Sequence, residues 1–369
     1  MAAPLNFWED LLVCEGAAGI RIKARVLRKQ GRPFLLLPLQ SRAAIASLDL
    51  YPAQTPRARL AMSLWRRLLQ ASVPLGMQKV SFVVQRDDPF IRFLAAQSGT
   101  KTDGPPTLGA LAGNPASDGQ RFLLLVFDDA QKPVAVVKTG MTDRAKDLVA
   151  KEQSVLKKIG GKAKGVPRLR GEFRTERLCA LAIDFVAGDS PQGYAETTVS
   201  SLLTSWVDST QSVPLSQTQD WLRLAAAVQA GGAASNFVQQ LRDRVVHPVL
   251  QHGDFAPWNI KVSPTGDWTV LDWERGELVG IPGWDWFHYL IQPAILVDAL
   301  PTTELIQMIE RLLASPAFKR YAALTSLTGS EQQLVLAYLH HAASVIKPSE
   351  GLLATRELLN ALGSRWRLS

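Results

Sequence analysis

With 369 residues, 47% apolar and 20% charged, the chain has material for two or three lobes and a sizeable core, which excludes a disordered or fibrous protein. Its two cysteines, Cys14 and Cys179, exclude a disulfide framework and have no metal-ligand spacing, and no apolar run reaches the ~18 residues of a membrane span. The net charge of +8 lies wholly in residues 1–105, which hold 15 Lys/Arg and 7 Asp/Glu, whereas residues 106–369 hold 26 of each.

The first residues carry Glu9 and Asp10 and no early basic cluster, so they do not read as a signal peptide. A reducing, cytoplasmic location is the simplest expectation. Phe34 to Leu39 reads as a strand, and Pro38 within it argues for an edge position. Thr55-Pro56 opens a helix that runs to about Ser72. Leu60, Leu64, Trp65, Leu68 and Leu69 make its apolar face, expected to pack on the body of the protein. The alternative use of such a basic amphipathic helix is peripheral contact with an anionic membrane or an acidic partner. No nucleic-acid partner is expected. Residues 99–106 read as a linker, which sets off 1–105 as a basic extension of uncertain fold.

Thr107 to Gly113 and Phe122 to Phe127 are strand-like, joined by a polar loop, Asn114 to Arg121, whose amides could cover phosphates. Val134 to Lys138 is a β-branched run ending in lysine. Thr142 to Ile159 reads as a helix whose apolar face, Leu148, Val149, Val155, Leu156 and Ile159, includes Glu152. A half-buried acid needs a partner, and Lys138 is the candidate. Leu169 to Arg174 and Leu178 to Val186 are two further strands. Helices follow over Val199–Val207, Gln217–Ala230 and Ala234–Val245. Beyond residue 286, helices are expected around Thr302–Leu313, Glu331–Ile346 and Leu352–Leu362.

The most informative stretch is His252 to Asp272. His252-Gly253-Asp254 with Asn259 matches His-x-Asp-x-x-x-x-Asn, the catalytic-loop pattern of phosphoryl transfer. Ile260–Ser263 and Trp268–Leu271 read as a hairpin around a four-residue loop, with Ser263 opposite Trp268. In that register Asn259 faces Asp272, and opposed residues lie about 4.5–5.5 Å apart at Cβ. Both oxygens then reach one Mg²⁺, whose ligands sit at about 2.1 Å. Asp254 is left to meet a hydroxyl.

These residues, with Leu271-Asp272-Trp273-Glu274 and Gly280-x-Pro282-x-x-Asp285, resemble the aminoglycoside phosphotransferase and choline kinase group, small-molecule relatives of the protein kinases. Gly253 stands where protein kinases have arginine, and Asp272-Trp273-Glu274 replaces Asp-Phe-Gly. The loop at 114–121 departs from the Gly-x-Gly-x-x-Gly phosphate loop. The resemblance implies an α+β, two-lobed, protein-kinase-like fold with the N-terminal extension: a small β-rich nucleotide-binding lobe, 106–187, and a larger helical catalytic lobe, 188–369. It implies ATP and Mg²⁺ as cofactors and a hydroxyl of a small molecule as acceptor. Asp254 would be catalytic, Lys138 paired with Glu152 would hold the phosphates, and backbone groups of Asp184 and Val186 would read adenine. Asn259 and Asp272 would hold the metal, and His252 and Asp285 would support the loop. Residues 189–250, which shape the acceptor pocket in that group, carry five acids against three arginines, which favours a sugar or sugar derivative over a polycationic aminoglycoside. The competing expectation is an inactive kinase-like nucleotide-binding or scaffold protein at a membrane surface.

Overall fold

The computed structural model describes residues 7–12, 19–51, 56–73, 77–99, 105–113, 119–230, 236–347 and 350–367. Residues Asn114 to Asp118 of the expected phosphate-covering loop lie outside this set, as do most of the 99–106 linker and the expected cap Thr55. The chain folds into two compact units: Met1–Ser154 with Arg168–Phe185, and Val155–Pro167 with Val186–Ser369.

The first unit contains α1 (Phe7–Leu12), β1 (Ile20–Lys29), β2 (Arg32–Pro38), α2 (Ser41–Ser47), α3 (Pro56–Gln70), β3 (Gln78–Val84) and α4 (Pro89–Ser98). β4 (Leu108–Ala112), β5 (Arg121–Phe127), β6 (Pro133–Gly140), α5 (Asp143–Ile159, counted here up to Ser154), β7 (Leu169–Arg174) and β8 (Cys179–Asp184) follow. The eight strands form one antiparallel sheet in the order β3-β1-β2-β4-β5-β6-β8-β7. Residues 20–84, expected as an extension of uncertain fold, therefore supply three strands of the same sheet.

Helices pack on both faces of this sheet, on the second over the Leu27–Leu35–Leu37 part. Trp8 and Leu11 of α1 and Phe90 and Leu94 of α4 pack with Val26, Leu124 and Val137. Ala44 of α2 and Leu69 of α3 pack with Leu27, Leu35 and Leu37. Strands buried on both faces lose their apolar–polar alternation, which is why β2 and β5 read as continuous apolar runs. The ends of α4 follow local chemistry. Asp88 accepts hydrogen bonds from Phe90 N (2.8 Å) and Ile91 N (3.0 Å), Pro89 occupies the first turn, and Gly99 closes the helix at φ 67°.

Two expectations change here. β2 is not an edge strand, because it lies between β1 and β4. Pro38 is tolerated as the last residue of β2, beyond the part that β4 pairs, Leu35 and Leu36. The helix at 56–70 buries Leu69, with Met62 and Trp65 beside it, whereas Leu60 and Leu64 are exposed. Tertiary packing chose one of two apolar stripes.

The second unit opens with α6 (Glu196–Ser205), β9 (Val213–Pro214), α7 (Gln219–Ala230), α8 (Asn236–Leu241), β10 (Val245–Val246) and β11 (Val249–Gln251). Next come β12 (Ile260–Val262), β13 (Trp268–Val270), β14 (Glu277–Gly280) and α9 (Trp284–Leu296). It ends with α10 (Thr302–Ala314), α11 (Pro316–Leu324), α12 (Glu331–His341) and α13 (Leu352–Trp366). The short strands pair as β9–β10, β11–β14 and β12–β13. The helix expected over 234–245 ends at Leu241, because Val245 and Val246 pair with Pro214 and Val213. The helix expected to reach Ile346 becomes a π-turn after His341. The unexpected α11 is started by Ser315, which accepts from Phe318 N (3.1 Å), and by Pro316. α9 is buried along nearly its whole length and is apolar apart from Asp285, His288 and Gln292. No helix among the described residues is long and apolar enough to cross a membrane.

Candidate active site

In the first unit, alternation along β6 sends Ala135 and Val137 into the apolar core and Lys138 to the opposite face. There Glu152 of α5 meets it, with Nζ to Oε1 at 2.6 Å and to Oε2 at 2.9 Å. The Lys138 and Glu152 side chains are 9% and 1% exposed. The close approach of α5 requires Gly140, since a Cβ there would stand 2.5 Å from the Ala145 carbonyl. Gln153 donates to Ala180 O (2.7 Å) and ties α5 to β8. Asp184 ends β8. Its N–H donates to Arg168 O, and its carboxylate accepts from Arg168 Nε (2.8 Å) and Arg170 (3.1 Å). The guanidinium hydrogen bond of Arg168 lowers its pKa against the opposing effect of burial. Phe185 N–H donates to Val134 O, and Val186 belongs to the second unit.

In the second unit the loop after β11 brings His252, Asp254, Asn259 and Asp285 together. Asp285 accepts from the backbone N–H of His252 (2.6 Å) and of Gly253 (2.9 Å). It stands in the first turn of α9 but does not cap it; the cap position is Gly283. Gly253 has φ 77°, and a Cβ would meet Arg275 O at 2.8 Å, so only glycine fits this turn. His252 is wholly buried, which pushes its pKa down to about 4, so the ring is neutral. Its Nδ1 accepts from Asp254 N–H (3.2 Å) and its Nε2 donates to Leu271 O (2.9 Å).

The Asp254 carboxylate is held on both oxygens. Oδ1 accepts from His288 Nε2 (3.0 Å), and Oδ2 accepts from Asn259 Nδ2 (3.1 Å), which also donates to Asp254 O (2.8 Å). Burial pushes this carboxyl up, but the hydrogen bond and charge of His288, with Arg275 at 3.9 Å, outweigh it and hold it well below the usual carboxylate range.

His288, Tyr338 and Arg275 were not among the residues singled out by sequence. Asp285, His288 and Gln292 are spaced i, i+3 and i+7 on α9, hence on one side of it. Gln292 Nε2 donates to Tyr338 Oη (3.2 Å), Tyr338 Oη and His288 Nδ1 share a hydrogen bond (3.1 Å), and His288 Nε2 meets Asp254 Oδ1. The available signal was three polar residues at helical spacing in an otherwise apolar helix.

The hairpin differs from its expected register by one residue. Ile260 pairs with Val270 and Val262 with Trp268, so Asn259 stands opposite Leu271 and not Asp272. The loop is three residues long: Ser263 N–H donates to Asp267 O, and Gly266 N–H to Ser263 O. A one-residue slip would turn Asp272 to the other face, but Asp272 adopts φ 74°, ψ 58°, so it lies outside the strand conformation and strand alternation does not set its direction. Leu271, the residue before it, is fixed at both ends, with its N–H on Asn259 O (2.7 Å) and its C=O on His252. Among the described residues no cluster of three or more His, Cys, Asp or Glu stands ready for a metal. The amide of Asn259 spends Nδ2 on Asp254, which leaves Oδ1; an amide oxygen and a carboxylate, such as that of Asp272, are the oxygen types that Mg²⁺ takes.

Burial raises Asp285 to about 6 from an ordinary 3.8, against the two N–H bonds that lower it. As pH falls through 6 it gains a proton and loses acceptor capacity toward the loop, so turnover is expected to decline there. Stability runs the other way. The folded state binds this proton more tightly than the unfolded chain, so the contribution is full below about 4 and is lost as pH rises through 6. A kcat profile beside thermal midpoints at pH 5 and 7 checks both signs; kcat unchanged down to pH 5 would show that the brace does not need its charge.

Neither a protein-family model nor a curated protein sequence matches the chain. Solved structures similar in chain path include a Ralstonia eutropha protein assigned as an aminoglycoside phosphotransferase, 13% identical over 76% of this chain and 96% of that one, with TM-score 0.49. A thermostable form of aminoglycoside phosphotransferase APH(4)-Ia is 14% identical over 76% and 100%, with TM-score 0.49. A Haemophilus somnus protein assigned as a fructosamine-3-kinase is 13% identical over 74% and 96%, with TM-score 0.43.

Proposed function

We propose that this chain is a small-molecule kinase that transfers the γ-phosphoryl group of ATP, with Mg²⁺, to a hydroxyl acceptor. The observation that carries this reading is Asp254, an ionised, half-buried carboxylate held on both oxygens, five residues before an asparagine that holds it. The low pKa makes Asp254 a poor early base. Its part is to orient the attacking hydroxyl and receive its proton late, as suits a loose phosphoryl-transfer transition state. Lys138, fixed by Glu152, is a point charge for phosphate oxygens, and Asn259 and Asp272 are the metal ligands. Magnesium held there would neutralise charge spread over the phosphoryl oxygens. Asp184 and Val186 present the backbone groups for adenine.

A sugar or sugar derivative is the favoured acceptor. Of the five acids in 189–250, Asp220 is buried and ion-paired with Arg223 (2.6 Å), and Asp208 is spent on Thr210 and Gln211. Few carboxylates remain for a polycation.

The test is Mg²⁺-dependent ATP turnover over sugars, amino alcohols and aminoglycosides. Turnover with a neutral hydroxyl compound is the expected result. Efficient phosphorylation of a kanamycin-type compound would overturn the acceptor, and nucleotide binding without turnover on any acceptor would favour the inactive alternative. In the same assay Asp272→Ala is expected to raise the Mg²⁺ requirement more than Asn259→Ala, since a carboxylate offers full charge and an amide only a dipole. Equal losses would contradict the ligand assignment.

A further inference from the structure

We infer that one side of the first unit, formed by the open face of β1 and β3 and the outer stripe of α3, docks on an anionic lipid bilayer. Residues 20–84 hold 12 Lys/Arg and a single acid, Asp49, which is paired with Arg66. Strand register places the charge. Arg25 lies opposite both Leu37 and Lys79, Lys23 opposite Ser81, and Arg21 opposite Val83. Directly opposed residues share a face, so this basic strip is on the face where Leu37 meets α2 and α3. The helices cover the Leu27–Leu35–Leu37 part of that face, but Arg21, Lys23, Lys79 and Val83 are exposed beside them.

Helix geometry adds the second observation. At about 100° per residue, Leu60, Leu64 and Arg67 form a stripe opposite Met62, Trp65 and Leu69. The second stripe packs inward; Leu60 is 74% and Leu64 56% exposed, and Arg67 is exposed with them. Isolated surface leucines are ordinary, but here two stand one turn apart with a cation, on the same side of the sheet as the lysines. A nucleic acid or an acidic peptide would satisfy the cations and give the leucines nothing. A bilayer of anionic lipid satisfies both, with headgroups for the cations and the acyl boundary for the leucines.

The inference is independent of the kinase reading, and its readout uses no ATP. The full-length protein is sedimented with vesicles of neutral phosphatidylcholine or with about one-third phosphatidylglycerol added. Partitioning is expected to be at least about tenfold higher on the anionic vesicles and to fall as salt shortens the Debye length. Each basic side chain at the surface contributes roughly fivefold, so Arg21→Glu/Lys23→Glu/Lys79→Glu should lose about a hundredfold or more. Leu60→Ser/Leu64→Ser, with unchanged charge, should lose about tenfold. Thermal midpoints report whether the variants fold. Equal retention on neutral and anionic vesicles by the unmodified protein overturns the inference without any variant. Binding that the leucine double variant leaves intact, or that a DNA duplex abolishes at equal phosphate, overturns the bilayer as the partner.

Discussion

Asp254→Asn is expected to lower kcat by about 10²- to 10⁴-fold, the range of a positioned acid–base group, with nucleotide affinity nearly unchanged. The substitution keeps shape and removes charge. Two donors, His288 Nε2 and Asn259 Nδ2, converge on the carboxylate. An amide offers one oxygen and one donor nitrogen, so one of these N–H groups faces another donor and must move. The hydroxyl then loses both its proton acceptor and its orientation. His288→Ala is expected to cost less, because Asn259 still holds Oδ2. Stopped-assay kcat with a tight-binding nucleotide analogue as control separates chemistry from binding. Turnover within a few-fold of the unmodified protein would remove Asp254 from its role.

Glu152→Ala is expected to destabilise the fold by about 3–5 kcal/mol, the scale of leaving one partner of a buried ion pair behind. Its side chain is 1% exposed and that of Lys138 9%, so water cannot replace the lost carboxylate without opening α5 from β6. The paired change Lys138→Met/Glu152→Leu should recover most of that stability, since apolar side chains of similar volume replace buried pairs well. It should not recover turnover, because no cation remains for phosphate. Denaturant midpoints of the two variants, measured beside kcat, decide this. A loss under about 1 kcal/mol for Glu152→Ala, the range of exposed pairs, would mean that the pair is solvated.

Much of the local structure is legible without coordinates. β4 to β8 and α5 lie within one or two residues of their expected spans, because β-branched runs and helical periodicity are local signals. The pairing of Lys138 with Glu152 is likewise readable, since an acid on an apolar helix face demands a partner and the preceding strand ends in one. The spacing of His252, Asp254 and Asn259 is carried within eight residues. Where a single residue decides the outcome, sequence runs out: both hairpin registers satisfy the apolar pattern, and the three-residue loop with Asp272 at positive φ selects one.

What the sequence alone determined about this protein is therefore the type and order of strands β4 to β8, the α5 helix, and the residue types a phosphoryl-transfer site would use. Only the tertiary structure decided that residues 20–84 join the same sheet. β2 reaches β4 across more than 70 residues of chain, and strands covered on both faces show no alternation to announce their neighbours. Only it decided which stripe of α3 is buried, because both are apolar and the choice depends on what lies beneath. It alone brought His288 and Tyr338 to Asp254, across 34 and then 50 residues of sequence. Periodicity reports which face of an element is apolar; which polar group ends against which is set by packing between elements distant in the chain, where no local spacing carries the information.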